Sequence, residues 1–339
     1  MSRSDFKNGK VLITGGAGYV GCRLALMLHG KGYRVTVVDK VTPKERGITF
    51  PAAIEFKHGD LRDAHTAKEA VSGIDTIVHL AANIGSLTYM HNHQAEILQE
   101  NSAIDATLYP AAVEACVKRI IYSSSSMVFQ RAPKFPYVEK DLSEVLLPTN
   151  VYGMSKLVGE YFCCAYFEQF KLPYVILRYH NIYGPGEDSK GESPGDVHVI
   201  PALIEKVVGG QYPLEILGDL QATRPFTYVD DAVLATFMIF EKAFADDPNV
   251  INNDFNIGPK EATKILNLAQ LIWELLGDGR PFQYITKDTK AITAIRREMD
   301  PQKISSVIGW QPKVSLKDGI LKTAEWIKSR KDKPRSVLS

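Results

Sequence analysis

Long apolar runs are missing from this chain. With them goes any segment of the roughly 20 residues that a membrane-crossing helix needs. Cysteine is scarce. Its four copies, Cys22, Cys116, Cys163 and Cys164, make no Cys-x-x-Cys motif and no Cys/His metal spacing. Cys163 and Cys164 are adjacent, which is poor geometry for pairing with each other. This usage suits a reducing cytosol rather than a disulfide-stapled secreted fold. Surplus charge is also lacking: 40 basic residues stand against 39 acidic ones, for a net +1. Nothing in that balance draws the chain to nucleic acid or to an anionic membrane. The first ten residues are polar and carry no signal-peptide pattern. His91 and His93 flank Asn92, but no third ligand accompanies them, so no metal site is expected. There is no repeat and no low-complexity tract. The expectation is a cytoplasmic protein that uses neither membrane nor nucleic acid.

What is present is enough for a large core: 339 residues, 45% hydrophobic and 23% charged. Residues 10–14 (KVLIT) read as a short apolar strand. Gly15-Gly16-Ala17-Gly18-Tyr19-Val20-Gly21 follows, then an apolar-periodic helix over 22–29, then a strand over 33–38 that ends at Asp39. Strand, glycine turn, helix, strand and acid in that order make a dinucleotide-binding unit. The glycines let backbone N–H groups approach a pyrophosphate at the helix N-terminus. Asp39 stands where a carboxylate accepts from the adenosine ribose hydroxyls, and it would repel a 2′-phosphate, so NAD is favoured over NADP.

Further strands are expected at 54–57, 76–80, 120–123 and 172–179, with a long helix over 95–117 that holds Asn101 and Pro110. Asp60 and Leu61 fall at the sheet's carboxyl edge, near the adenine. Asp60 could instead cap the helix that begins near Ala64. Leu80, Ala81 and Ala82 would let backbone pass close to the cofactor. Ser123 to Ser126 put hydroxyls at a strand's carboxyl end, where ligands bind. The alternation predicts an α/β fold: a doubly wound parallel sheet of Rossmann type with a smaller C-terminal α/β substrate-binding region. The expected division is a NAD-binding domain over 1–180, a substrate region over 181–330 and a tail over 331–339. Residues of about 225–258 in the substrate region return to the first core.

Tyr152 and Lys156 stand four residues apart in a stretch that reads as helix through Phe170. That spacing places both on one helix face. A free phenol titrates near ~10 and a neighbouring cation lowers it, so the pair can make tyrosine a base.

The motifs together resemble an extended short-chain dehydrogenase/reductase of the NAD-dependent nucleotide-sugar epimerase/dehydratase family. They are the 14–21 glycine turn, His79-Leu80-Ala81-Ala82, the serine run, Tyr152-x-x-x-Lys156, RYHNIYGPG at 178–186, RPFTYVDD at 224–231 and FNIG at 255–258. The resemblance spans about 10–327. It implies that Ser125 hydrogen-bonds the reacting sugar oxygen, with Ser124 and Ser126 as rivals. Tyr152 takes the hydroxyl proton, and Lys156 holds the nicotinamide ribose. It implies a cofactor lining that includes Gly15, Gly18, Tyr19, Val20, Gly21, Asn101 and Ser123. On the substrate side it implies Gly85, Ser86, Asn181 and Arg224, with Arg296 or Arg297 as a second phosphate-binding arginine. The substrate would be a GDP- or UDP-sugar and the assembly a homodimer.

Residues 83–101 and 180–185 most resemble the GDP-mannose 3,5-epimerases, in which Lys190 would match a catalytic lysine. Those enzymes carry a cysteine acid/base two residues after the catalytic serine. Here that position is Met127, whose thioether neither gives nor takes that proton. The Asp-Glu pair of 4,6-dehydratases is replaced by Ser126 and Met127. The reading is therefore an epimerase that works through a transient 4-keto sugar. The alternatives are a net C4 oxidase or reductase, a 4,6-dehydratase, or, from another class, a non-catalytic dinucleotide-binding protein.

Overall fold

A computed structural model describes residues 9–187, 198–287 and 294–331. Six strands lie along the first half of the chain, with a helix in every connection but that from β2 to β3: β1 (Lys10–Thr14), β2 (Arg34–Asp39), β3 (Glu55–His58), β4 (Thr76–His79), β5 (Arg119–Ser125) and β6 (Tyr174–Tyr179). Together with the strand Asn253–Ile257 they form one seven-stranded sheet. Its order is Asn253–Ile257, β6, β5, β4, β1, β2, β3, and every pair is parallel. The doubly wound α/β fold expected from the alternation is the one observed.

The strand order reverses between β1 and β4. In open α/β sheets ligands bind outside the carboxyl ends of the strands at such a crevice. β1 and β4 carry Val11, Leu12, Ile13, Ile77 and Val78, all fully buried. Burial on both faces is what a central parallel strand requires, and it makes their apolar runs continuous rather than alternating.

Helix α1 (Gly21–Gly30) follows the glycine turn, and α2 (Ala64–Val71) follows β3. Asp63, not Asp60, caps α2 by accepting the Thr66 N–H at 2.8 Å. The expected long helix over 95–117 is preceded by a short one. α3 (Leu87–Asn92) is capped by Ser86, and α4 (Gln94–Glu114) contains Pro110. α5 (Val151–Phe170) is capped by Asn150, whose Oδ1 accepts the Gly153 N–H at 3.2 Å. It ends on Lys171 in the left-handed conformation. The helix Val229–Phe244 begins one residue before Asp230, so that residue lies in the first turn and faces Arg23 at 3.5 Å instead of capping. Short paired strands, Leu214–Leu217 with Tyr284–Lys287 and Ile182–Tyr183 with Thr227–Tyr228, build the smaller region above the sheet's carboxyl edge.

Candidate active site

The glycine turn is fixed by backbone geometry. Gly15 has φ +66° and donates its N–H to the Val38 carbonyl at 2.9 Å. A Cβ there would lie 2.9 Å from the Ala81 backbone, so only glycine fits. Gly18 and Gly21 crowd the Gly15 carbonyl in the same way. Asp39, at the end of β2, accepts the N–H groups of Ala17 at 3.1 Å and Val41 at 3.0 Å. A glycine turn with no room for a Cβ, leading into a helix N-terminus beside a carboxylate at a strand end, is the cradle that a pyrophosphate and an adenosine ribose require. The residues present therefore fit NAD.

Val20, half-buried, leads directly into α1. Tyr19 turns toward Gly184, and its hydroxyl would lie 3.0 Å from a Cβ there, so it links the glycine turn to the 178–186 loop. Asp60 is held in a fork by Arg62, which also reaches Glu100 at 3.0 Å. That fork keeps the Asp60 carboxyl below its ordinary range. Leu61 is packed in the core, and Leu80 and Ala82 are half-buried beside the turn. Asn101 spends its amide on protein groups. Its oxygen accepts the Asn83 N–H at 2.6 Å, and its nitrogen donates to the Asn83 carbonyl and the Ser155 hydroxyl. It braces the loop after β4 against α5.

The serine run separates by strand alternation. Ser124 is bonded to the buried Glu160 carboxylate. Ser125 points the other way. It accepts the Met127 N–H at 3.2 Å, and its hydroxyl works to lower the pKa of the Tyr152 phenol. Ser126 is buried behind them. Among the rivals, Ser125 is the one brought to Tyr152.

Burial outweighs this effect of Ser125 and raises the Tyr152 phenol well above its ordinary value. Lys156 Nζ donates to the Ser123 carbonyl at 2.7 Å and lies 4.9 Å above the Tyr122 ring. Burial lowers its ammonium to about 8, against the opposing pull of Asp105 and Glu160. Met127 packs beside Tyr152, Met90 and Ile97.

The sugar side assembles from loops. Ser86 is buried and holds the Tyr89 N–H, while Gly85 packs against the Tyr89 ring. Asn181 has φ +31° and donates to the Pro225 carbonyl at 2.9 Å. Arg224 is buried and holds the carbonyls of Ala294 and Ile295 at 2.6 and 3.3 Å. The register of the two adjacent arginines is also settled. Arg296 faces outward and is paired with Glu298 at 2.6 Å. Arg297 turns inward, to 3.0 Å from the Met127 sulfur, and burial depresses its guanidinium. Successive residues of an extended segment face opposite ways, which sends one arginine to solvent and the other inward. Lys190 lies outside the described residues.

Sequence reasoning missed two features. His198, half exposed, is bonded to Glu187, and that carboxylate together with the Gly85 backbone raises the imidazole pKa against the desolvation that opposes it. Thr14, His79 and Asp105 form a buried chain beneath the cofactor turn. Cys22 is buried at the start of α1; burial raises its thiol, which donates to the Tyr19 carbonyl. Among the described residues, no cluster of three or more His, Cys, Asp or Glu could hold a metal, and no helix is long and apolar enough to cross a membrane.

The sequence profile of the NAD dependent epimerase/dehydratase family matches residues 11–258. Among curated relatives, a UDP-glucose 4-epimerase of Halalkalibacterium halodurans is 30% identical, over 89% of this chain and 90% of its own. A GDP-mannose 3,5-epimerase of Oryza sativa is 28% identical, over 96% and 84%. Among solved structures, the UDP-glucuronic acid 4-epimerase of Bacillus cereus, in complex with UDP-glucuronic acid and NAD, superposes with a TM-score of 0.81 at 27% identity. It covers 95% of this chain and 99% of its own.

Proposed function

The chain belongs to the NAD dependent epimerase/dehydratase family, and from that premise we propose that it inverts one carbon, C4, of a nucleoside-diphosphate sugar through a transient 4-keto sugar. The substrate is a UDP- or GDP-sugar. NAD, when bound, supplies the hydride acceptor and donor. Tyr152 removes the C4 hydroxyl proton and returns it after the sugar has turned over. Ser125 donates a hydrogen bond to the same oxygen, and Lys156 keeps positive charge beside it. General-base work of this kind is worth roughly 10²–10⁴-fold. Arg224, Arg297 and Asn181 hold the diphosphate.

One observation carries the reading. Met127 packs against Tyr152, on which the Ser125 hydroxyl acts, and the Met127 thioether has no proton to exchange. That favours oxidation and reduction at one carbon, since position 127 supplies no acid/base for proton abstraction at C3 or C5. The exposed Leu98 of α4 and Tyr161 of α5 suit a homodimer paired through these helices.

Incubation with UDP- and GDP-hexoses in D₂O tests the reading. Conversion with no deuterium in the sugar and no net NADH supports it. Deuterium at C3 or C5, or NADH changing in step with substrate, overturns it.

A further inference from the structure

We propose that Asp105 is a positioning residue of the hydride-transfer site. Through His79 and Thr14 it fixes the cofactor-facing backbone of Leu80 and Ala81, and through the space under Tyr122 it supplies an uncancelled negative charge to Lys156. The second role rests on the function proposed above, whereas the first does not.

The hydrogen bonds leave one consistent arrangement. Thr14 Oγ1 accepts two backbone N–H groups, those of Leu80 and Ala81, each at 3.1 Å. A hydroxyl has two lone pairs and one proton, so its own proton goes to His79 Nδ1 at 2.7 Å. His79 Nδ1 is then an acceptor, and Nε2 carries the hydrogen to Asp105 Oδ1 at 2.9 Å. The imidazole is neutral in this tautomer, which is assigned from the network. All three side chains are buried. The chain ends at the Ala81 backbone, which lies 2.9 Å from the position of a Gly15 Cβ. The carboxylate on α4 thus sets the height of the loop on which the cofactor turn rests.

The same carboxylate reaches toward α5. A Cβ on Gly159 would lie 2.9 Å from Asp105 Oδ2 and 1.9 Å from the Tyr122 hydroxyl, so glycine there lets both groups press against the helix. The Lys156 ammonium lies 4.9 Å from the centre of the same Tyr122 ring. Three groups act on that ammonium from α4 and α5: Asp105, Glu160 and Cys163. Glu160 is matched by the Arg178 guanidinium at 2.7 and 2.8 Å. Burial raises the Cys163 thiol, so it stays neutral. Tyr122 and Tyr152 are neutral for the same reason. Asp105, bonded to a neutral imidazole, is the charge left uncancelled.

Two variants test the two roles. Thr14→Val keeps the volume and removes the oxygen that holds Leu80 and Ala81. Its apparent Kd for NAD+, from fluorescence titration without sugar, should rise about tenfold. An unchanged Kd overturns the positioning role, whether or not any sugar is converted. Asp105→Asn keeps the shape and removes the charge. The alkaline limb of its turnover profile should move about one pH unit lower, since Lys156 loses its proton sooner. An Asp105→Asn protein with wild-type melting and an unmoved alkaline limb overturns the charge role. If the wild type turns over no nucleotide sugar, the limb of Tyr152 and Lys156 titration followed by NMR gives the same two outcomes.

Discussion

Arg178 grips Glu160 with two donors, Nε at 2.8 Å and Nη2 at 2.7 Å, both groups almost fully buried. The fork ties β6 to α5 one turn beyond Lys156. Arg178 Nη1 extends it to Asp254 at 2.6 Å, and Lys303 meets the other oxygen of that carboxylate. Breaking a buried pair by removing one partner leaves an uncompensated charge. Arg178→Leu should therefore lower unfolding free energy by about 3–5 kcal/mol in urea melts. Arg178→Leu with Glu160→Leu should recover a large part of that loss. A single variant that melts like the wild type contradicts this account.

Arg297 and Arg296 are neighbours with opposite fates. Arg297→Leu should raise KM for the nucleotide sugar about tenfold or more, the scale of one charge-assisted hydrogen bond. Arg296→Ala should stay within about twofold, because an exposed pair with Glu298 contributes little. Steady-state kinetics with the two variants side by side reads the difference. The reverse ranking would return the diphosphate contact to Arg296.

Tyr152→Phe removes the base and leaves the burial intact. Turnover should fall by about 10²–10⁴-fold, while NAD affinity and melting temperature hold. Single-turnover assays and NAD titration separate the two. Retained turnover would place the base elsewhere.

Lys156 is held as a buried ammonium at a cost to the fold. Its folded pKa, lowered to about 8, lies below the unfolded value of 10.5. Between those two values the unfolded chain binds more protons, so raising pH through that window favours the folded state. Lys156→Met should therefore melt higher than the wild type at pH 7, and the gap should close between pH 8 and 10.5. A gap that does not change with pH would show that the ammonium is not desolvated.

His198 titrates with the opposite sign. Glu187 holds its folded pKa above the ordinary 6.5, so the pair stabilises the fold fully below that value and less as pH rises through the folded pKa. Wild type and His198→Ala should differ most in melting temperature near pH 6 and converge at alkaline pH.

Much of this was legible in the residues alone. The period of the apolar runs and the glycine punctuation gave the parallel sheet, because buried central strands and tight turns are local demands. The four-residue step from Tyr152 to Lys156 gave a shared helix face for the same reason. Where a cap depended on a single residue, local reading left alternatives open. Asp63 rather than Asp60 caps α2, since either acid can serve and only the backbone angle selects one.

The finer choices belonged to the tertiary structure. Ser124 and Ser125 are equivalent as letters. What separates them is that β5 turns one toward Glu160 and the other toward Tyr152. Arg296 and Arg297 are likewise equivalent until an extended segment sends one to solvent and one to Met127. Asp105 meets His79 across 26 residues, and Thr14 meets His79 across 65. No local pattern encodes such meetings, because they depend on how α4 packs on the sheet. Sequence by itself determined the fold, the cofactor and the kind of chemistry. Packing decided which of several like side chains faces the site, since strand facing and helix docking are properties of the whole folded chain.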